Sequence, residues 1–304
     1  MPAYISHAIM GEQLYNECKK ENLFNYIPID TEEIKGYSLG VDFSYLSKDT
    51  KEDPHNSNTK EFFISILKYI KENNLTDNKH VISLLYGHIA HYFLDLNIHP
   101  FIYYTEYNTE TVGPISNHNL IEGYLSSYLS EKILKKDIMQ IKSNYFNQIN
   151  LSDKKIIQLL NNIYGKIYKD NKIIKSYKKT LEIFSLIEKS IKNGIITKKL
   201  LIYISKFNKF LERNDLTLNE ITNESNDTFT NPVTGEKHNE SFIELYDKSI
   251  EMSLDAIEKV NKCLYSNESI STLDTVFTDL SYDTGVKCSL GREMTYVRKR
   301  QRKK

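Results

Sequence analysis

Tryptophan is absent from the 304 residues, and cysteine occurs only three times, at Cys18, Cys263 and Cys288. The three thiols are odd in number, far apart and without a CxxC pair. Neither a disulfide framework nor a thiolate zinc site is indicated. No stretch approaches the roughly 20 consecutive apolar residues that a bilayer-crossing helix requires. The opening MPAYISHAIMGEQL has no basic segment followed by an apolar one, so no signal peptide is read and a cytoplasmic protein is expected. No histidine is followed directly by aspartate and no HExxH string occurs. These absences exclude the His-Asp phosphohydrolases and the helix-borne zinc proteases. Net charge is zero, and the basic residues are not interleaved with aromatics as in a nucleic-acid-binding surface, so no nucleic acid partner is expected.

What is present is ordinary for a globular protein, with 40% hydrophobic and 26% charged residues, and tyrosine (22) supplies most of the large amphipathic surface. The zero net charge hides an asymmetry. Residues 1–150 carry 13 basic against 19 acidic groups, and residues 151–304 carry 27 against 21. The acidic half also holds seven of the eight histidines, a combination suited to binding cations.

Apolar periodicity of three to four residues dominates and predicts an all-α fold. Helices are expected over 3–20, 58–73, 79–97, 117–135, 152–168, 172–192, 196–213 and 239–264. Pro100 disfavours a helical His99, so the third of these should stop just before it. Residues 214–238, polar and without periodicity, read as a surface loop or linker. The chain is then expected to divide into a histidine-rich helical core (1–150), additional helices (151–213), that loop, a C-terminal helical segment (239–291) and a basic, disordered tail (292–304).

The informative stretch is GHIAHYFLDLNIHP, residues 87–100. His91 and Asp95, one helical turn apart, lie about 40° from each other on the helix surface and point into the same small volume. His88 precedes them by one turn and His99 follows just beyond the expected helix end. Three histidines and an aspartate within 12 residues are the donor types and spacing of a zinc site rather than of core filling. His118 and Glu122, in HNLIEGYL, form a second pair at i and i+4. Alone it reads equally well as an ion pair. His7, in the first helix, His55, after Asp53-Pro54, and Asp42, in GYSLGVDFSY, are individually weak signals.

Their order along the chain resembles the zinc-dependent phospholipase C family: ISH, then LGVDFSY, PHNSNTKEFF, GHIAHYFLDLNIHPF and HNLIE, over roughly residues 1–135. The resemblance implies an all-helical fold, related to that of the zinc-dependent single-strand nucleases, and a site of two to three zinc ions. By position, it implies Asp42, His55, His91 and Asp95 at one ion, His99, His118 and Glu122 at a second, and His7 with a bridging Asp95 at a third. Secreted members complete the third position with an N-terminal tryptophan, which this chain lacks, and their counterpart of the Asp95–His99 gap is longer. His88 is either an extra ligand or a supporting core histidine. The implied activity is phosphodiester hydrolysis by a metal-bound hydroxide, with Asp42 as the carboxylate acting on the water. The implied partner is a phospholipid or other phosphoester, with peripheral membrane contact. Tyr4, Phe43, Tyr45, Tyr103 and Tyr104 are candidates to line the substrate groove. The alternatives are a hydrolase of small soluble phosphoesters or nucleotides, and an inactive, metal-stabilised helical module that binds a partner. The sequence does not set the oligomeric state.

Overall fold

Apolar residues recurring every third or fourth position dictate helix, and helix dominates the computed structural model, which describes residues 3–46, 52–110, 116–136, 149, 151–192 and 206–297. The elements are α1 (Ala3–Lys20), α2 (Thr31–Tyr37), a 3-10 segment (Gly40–Leu46), α3 (Thr59–Glu72), α4 (Lys79–Tyr107), α5 (Asn117–Leu129), α6 (Lys154–Ile167), α7 (Ile173–Lys192), α8 at 206–214, α9 (Leu218–Thr222) and α10 (Phe242–Tyr265). Among the described residues the only sheet is a two-residue antiparallel pairing of β1 (Phe229–Thr230) with β2 (Lys237–His238). The all-α expectation holds. Among the described residues, no helix is long and apolar enough to cross a membrane.

α4 is the axis of the molecule. The Asn78 side chain caps its start by accepting from the backbone N–H groups of His80 and Val81. From Val81 to Ile102 nearly every side chain is buried, so the helix needs neighbours on every side. α1, α2 and α10 supply them. One polar tie crosses this packing: the Tyr86 hydroxyl donates to Asn261 of α10, whose amide donates to the Leu23 carbonyl at 2.8 Å. α3 buries Phe62, Phe63, Ile66, Leu67 and Ile70, as its periodicity predicts.

The expected end of α4 before His99 is wrong. The helix runs through Pro100 to Tyr107. Proline costs an interior helix one N–H donor, here the one that would serve the Leu96 carbonyl. In this fold Gly285 lies over that carbonyl, so close that an added Cβ would stand 3.0 Å from the Leu96 oxygen. Burial of Ile98, His99, Phe101 and Ile102 holds the helix together across the proline. Tertiary packing outweighs the local preference.

Two further corrections concern the C-terminal third. Residues 214–238 are not a plain loop. They form α9, with a Thr217/Glu220 capping box, and the β1–β2 hairpin, and they bury Ile221 and Phe229. The polar composition hides two apolar anchors spaced too widely to register as a period. The segment from 292 onward does not begin as a free tail either. Arg292 makes ion pairs with Asp53 and Asp283, and the Tyr296 N–H donates to the Pro232 carbonyl at 2.9 Å. Residues 298–304 lie outside the described residues, as do 196–205 of the expected 196–213 helix.

A candidate metal centre

Continuation of α4 through Pro100 places His91, Asp95 and His99 at i, i+4 and i+8, a single stripe that drifts only about 80° around the helix. Asp95 is the centre of the cluster. Its carboxylate oxygens lie 3.1 Å from His91 Nε2, 3.3 Å from His7 Nε2 and 3.8 Å from His99 Nε2. α1 brings His7, whose ring stacks on His91 at a centroid distance of 4.3 Å. The 3-10 segment brings Asp42, whose Oδ1 lies 3.0 Å from His55 Nε2 and 4.0 Å from His91 Nε2.

This approach depends on Gly40. Its φ of +52° is the left-handed region that other residues avoid, and a Cβ there would sit 2.3 Å from His91 Cγ. Only glycine lets the Asp42 backbone pass so close to the imidazole. α5, capped by the Ser116 side chain, supplies the other flank. Glu122 Oε1 lies 3.2 Å from His118 Nε2 and 3.5 Å from His99 Nε2.

Three donor groups emerge in which the ligand atoms lie within 4.8 Å of one another: His7, Asp42 and His91; His55, His91 and Asp95; His99, His118 and Glu122. The structure therefore brings together all eight residues that the sequence singles out as ligands. His88 stands apart. Its Nδ1 donates to the Leu84 carbonyl at 2.9 Å, and its Nε2 faces the Tyr177 hydroxyl at 3.4 Å within the core. Phe43 is also removed from any groove, because it is fully buried and stacked on Tyr177 at 3.9 Å. Tyr104 packs near Phe229. Tyr103 does face the site, with its ring 4.8 Å from that of His118 and 5.9 Å from that of His99. Burial, aided by the nearby charges of Asp42 and Glu122, pushes the Tyr4 phenol well above the ordinary range. The Tyr45 side chain lies outside the described residues.

Several residues that the sequence reading missed hold the ligands from behind. His91 Nδ1 donates to the Ser38 carbonyl at 3.1 Å, and His99 Nδ1 donates to the Tyr282 carbonyl at 3.2 Å. His55 Nδ1 lies 3.4 Å from Asp53 Oδ1, and His118 Nδ1 lies 3.3 Å from Glu106 Oε2. Asp283 Oδ1 is 3.6 Å from His99 Nδ1. In all four imidazoles Nδ1 is engaged from outside while Nε2 faces the cluster, the tautomer arrangement of metal-ligating histidines. Glu106 had a sequence signal, because it continues the α4 stripe one heptad beyond His99. The early helix end concealed it. Asp283 had none.

The electrostatics expose a conflict inside the cluster. Burial drives His91 down to about 3, since its attraction to Asp95 does not offset desolvation and the stacked His7 opposes a second charge. Burial also opposes charge on His55 and His118, yet hydrogen bonds to Asp42 and Asp53, and to Glu106 and Glu122, push both up to about 10. His7 and His99 are raised despite burial, chiefly by Asp95. Burial works against ionised Asp42, Asp95 and Glu122, but their histidine partners hold all three below the usual carboxylate range. A neutral His91 turns a lone pair towards a carboxylate, and its buried Nε2 has no hydrogen-bond partner among the described residues. Converging imidazole and carboxylate lone pairs repel one another unless a cation lies between them. The donor set therefore fits divalent zinc.

The model of the family described as zinc dependent phospholipase C matches residues 1–192. The chain belongs to the zinc-dependent phospholipase C family. The family match extends well past residue 135, to the end of α7, and takes in every ligand candidate. Membership carries zinc dependence and phospholipase C chemistry as the family's description. No curated protein and no solved structure matches the chain.

Proposed function

We propose that this chain is a zinc-dependent phosphoric ester hydrolase of the phospholipase C type, cleaving the phosphodiester of a phospholipid. The observation that carries this reading is the convergence on Asp95, where one carboxylate serves three imidazoles from two helices and the donors fall into three adjoining groups. Asp42, His55, His91 and Asp95 would hold one ion, His99, His118 and Glu122 a second, and His7 with Asp95 would contribute to a third. Zinc bound there supplies neutralisation of the phosphate oxygens and a lowered pKa for water.

The chain's own residues divide into floor and mouth. His7, His91 and Asp95 are almost fully buried, whereas His118, Asp42, Glu122 and His99 retain some solvent contact. Asp42 is the accessible carboxylate of the first group. Its role would be to orient water and take its proton through the oxygen not turned to the metal. A small cavity of about 30 Å³ adjoins His7, Asp95, His99 and Glu122, and its wall is completed by Ser6, Leu94, Ile98, Ile102, Leu125 and Phe242. The wall is largely apolar, so hydrocarbon surface stands directly beside the donors. The cavity's modest size favours a second reading, in which a small soluble phosphoester is the substrate.

Hydrolysis of phosphatidylcholine vesicles, of a chromogenic phosphocholine ester and of a phosphomonoester tests the reading. We expect diester turnover that chelation abolishes and zinc restores, and a loss of about 100-fold or more in Asp42→Asn. Turnover that survives chelation, or unchanged rates in Asp42→Asn, contradicts the assignment. Activity confined to the soluble esters selects the second reading.

A further inference from the structure

Nothing in the family match reaches beyond residue 192, yet a C-terminal turn lies directly behind two of the ligand groups. Leu280 and Lys287 form an antiparallel bridge, and the chain between them folds back over α4 at Gly285, where φ is +68° and an added Cβ would crowd Leu96 and Pro100. The turn is fastened to the His55 loop at several points. Tyr282 N–H donates to the His55 carbonyl at 2.8 Å, Ser281 Oγ donates to Asn56 Oδ1 at 2.6 Å, and Thr59 Oγ1 donates to the Leu280 carbonyl at 2.8 Å. The Tyr282 ring then packs on both His55 and His91, at 5.4 and 5.6 Å.

Two charged residues extend these contacts to the centre. The buried Asp283 carboxylate accepts from Asn56 Nδ2 at 2.7 Å and pairs with Arg292 at 2.7 Å, while its other oxygen faces His99 Nδ1 at 3.6 Å. That last distance is too long for a hydrogen bond; the Tyr282 carbonyl receives the Nδ1 proton, and Asp283 adds its charge beside it. Arg292 also reaches Asp53 at 3.3 Å, the carboxylate behind His55, and the Tyr103 hydroxyl at 3.3 Å. One guanidinium thus joins the two outer carboxylates that face His55 and His99, which belong to different donor groups.

We infer that the Leu280–Arg292 turn, outside the family-matched region, is a positioning device for the zinc centre: Tyr282 and Asp283 fix the His99 imidazole, and Arg292 locks Asp283 to Asp53 so that His55 and His99 keep their relative placement. This rests on the zinc reading proposed above. Outer-shell partners of ligating histidines change metal affinity by about 10- to 100-fold when removed. Asp283, buried and facing the imidazole directly, carries the larger share. The half-exposed Arg292 acts through it, and the Arg292–Asp53 pair alone contributes little.

The test uses the full chain, stripped of metal and titrated with zinc against a chromophoric chelator, for wild type, Asp283→Asn, Arg292→Gln and Arg292→Lys. The thermal midpoint of each metal-free protein is measured in parallel. We expect Asp283→Asn to weaken the loosest zinc by about 10-fold or more with little change in the metal-free midpoint. Arg292→Gln should weaken it severalfold, and Arg292→Lys should recover part of that loss. A fall in the metal-free midpoint with unaltered zinc affinity means that the turn merely stabilises the fold, and overturns the inference. If Asp283→Asn does not fold, the Arg292 pair decides, since equal affinities in Gln and Lys variants and wild type also overturn it. Failure of the wild type itself to bind zinc removes the underlying reading instead.

Discussion

The family-matched residues and the C-terminal residues contribute to the same centre in different currencies. Residues 1–192 supply every candidate ligand, and five of the eight stand at fixed helical spacing: His91, Asp95 and His99 along α4, and His118 and Glu122 along α5. Residues 206–297 supply a backbone carbonyl, an aromatic face and two charged groups that meet the backs of those ligands. Direct ligation demands particular residue types at particular intervals, so it leaves a pattern. Support from behind can come from almost any acceptor, including a main-chain carbonyl, and leaves none.

The largest test of this contrast is at Asp95. Asp95→Asn removes the charge shared by His7, His91 and His99. It should cost several kcal/mol of charge stabilisation, on the order of a thousandfold in phosphodiester turnover. A loss no greater than that of Asp283→Asn would erase the distinction between the two regions. Next is Gly40→Ala, which forces a Cβ into His91 from a backbone conformation that alanine resists. About 1–3 kcal/mol of stability should be lost, read by denaturant unfolding, with weakened zinc binding alongside. Wild-type behaviour would mean that the Asp42 segment does not need its close approach.

The smallest expected effect is in pH dependence. In the metal-free protein, His55 and His118 have pKa values raised from 6.5 to about 10, so their contribution to stability is complete below about 6.5 and fades as pH rises towards 10. Zinc requires the neutral imidazoles, so its affinity should rise over the same interval. Thermal midpoints at pH 6 and pH 9 should therefore fall on the order of a few degrees without metal, and hold or rise with it. Parallel trends would show that the histidines are not where protons and metal compete.

Much of the site was legible because helical spacing and donor chemistry reinforce each other. The helical pairs among the ligand candidates and the all-α class follow from motifs whose geometry is local, whereas His7, His55 and Asp42 entered only through the family resemblance. What was not legible is non-local. A proline rule applied to Pro100 ended α4 too early and hid Glu106, because the burial that carries the helix through lies in residues distant in sequence. The hairpin at Phe229 and the buried Asp283 sit in stretches whose composition is that of loops. His88 resolves an alternative that spacing left open: the core gives both ring nitrogens other surroundings, so it is a core histidine. Phe43, chosen for its proximity in sequence, packs inward for the same reason.

The central claim is that these imidazoles and carboxylates enclose zinc. Elemental analysis of the full chain, purified without added metal and again after zinc reconstitution, tests it most directly. The account predicts two to three zinc ions per chain, whereas a content near zero that reconstitution does not raise would contradict it.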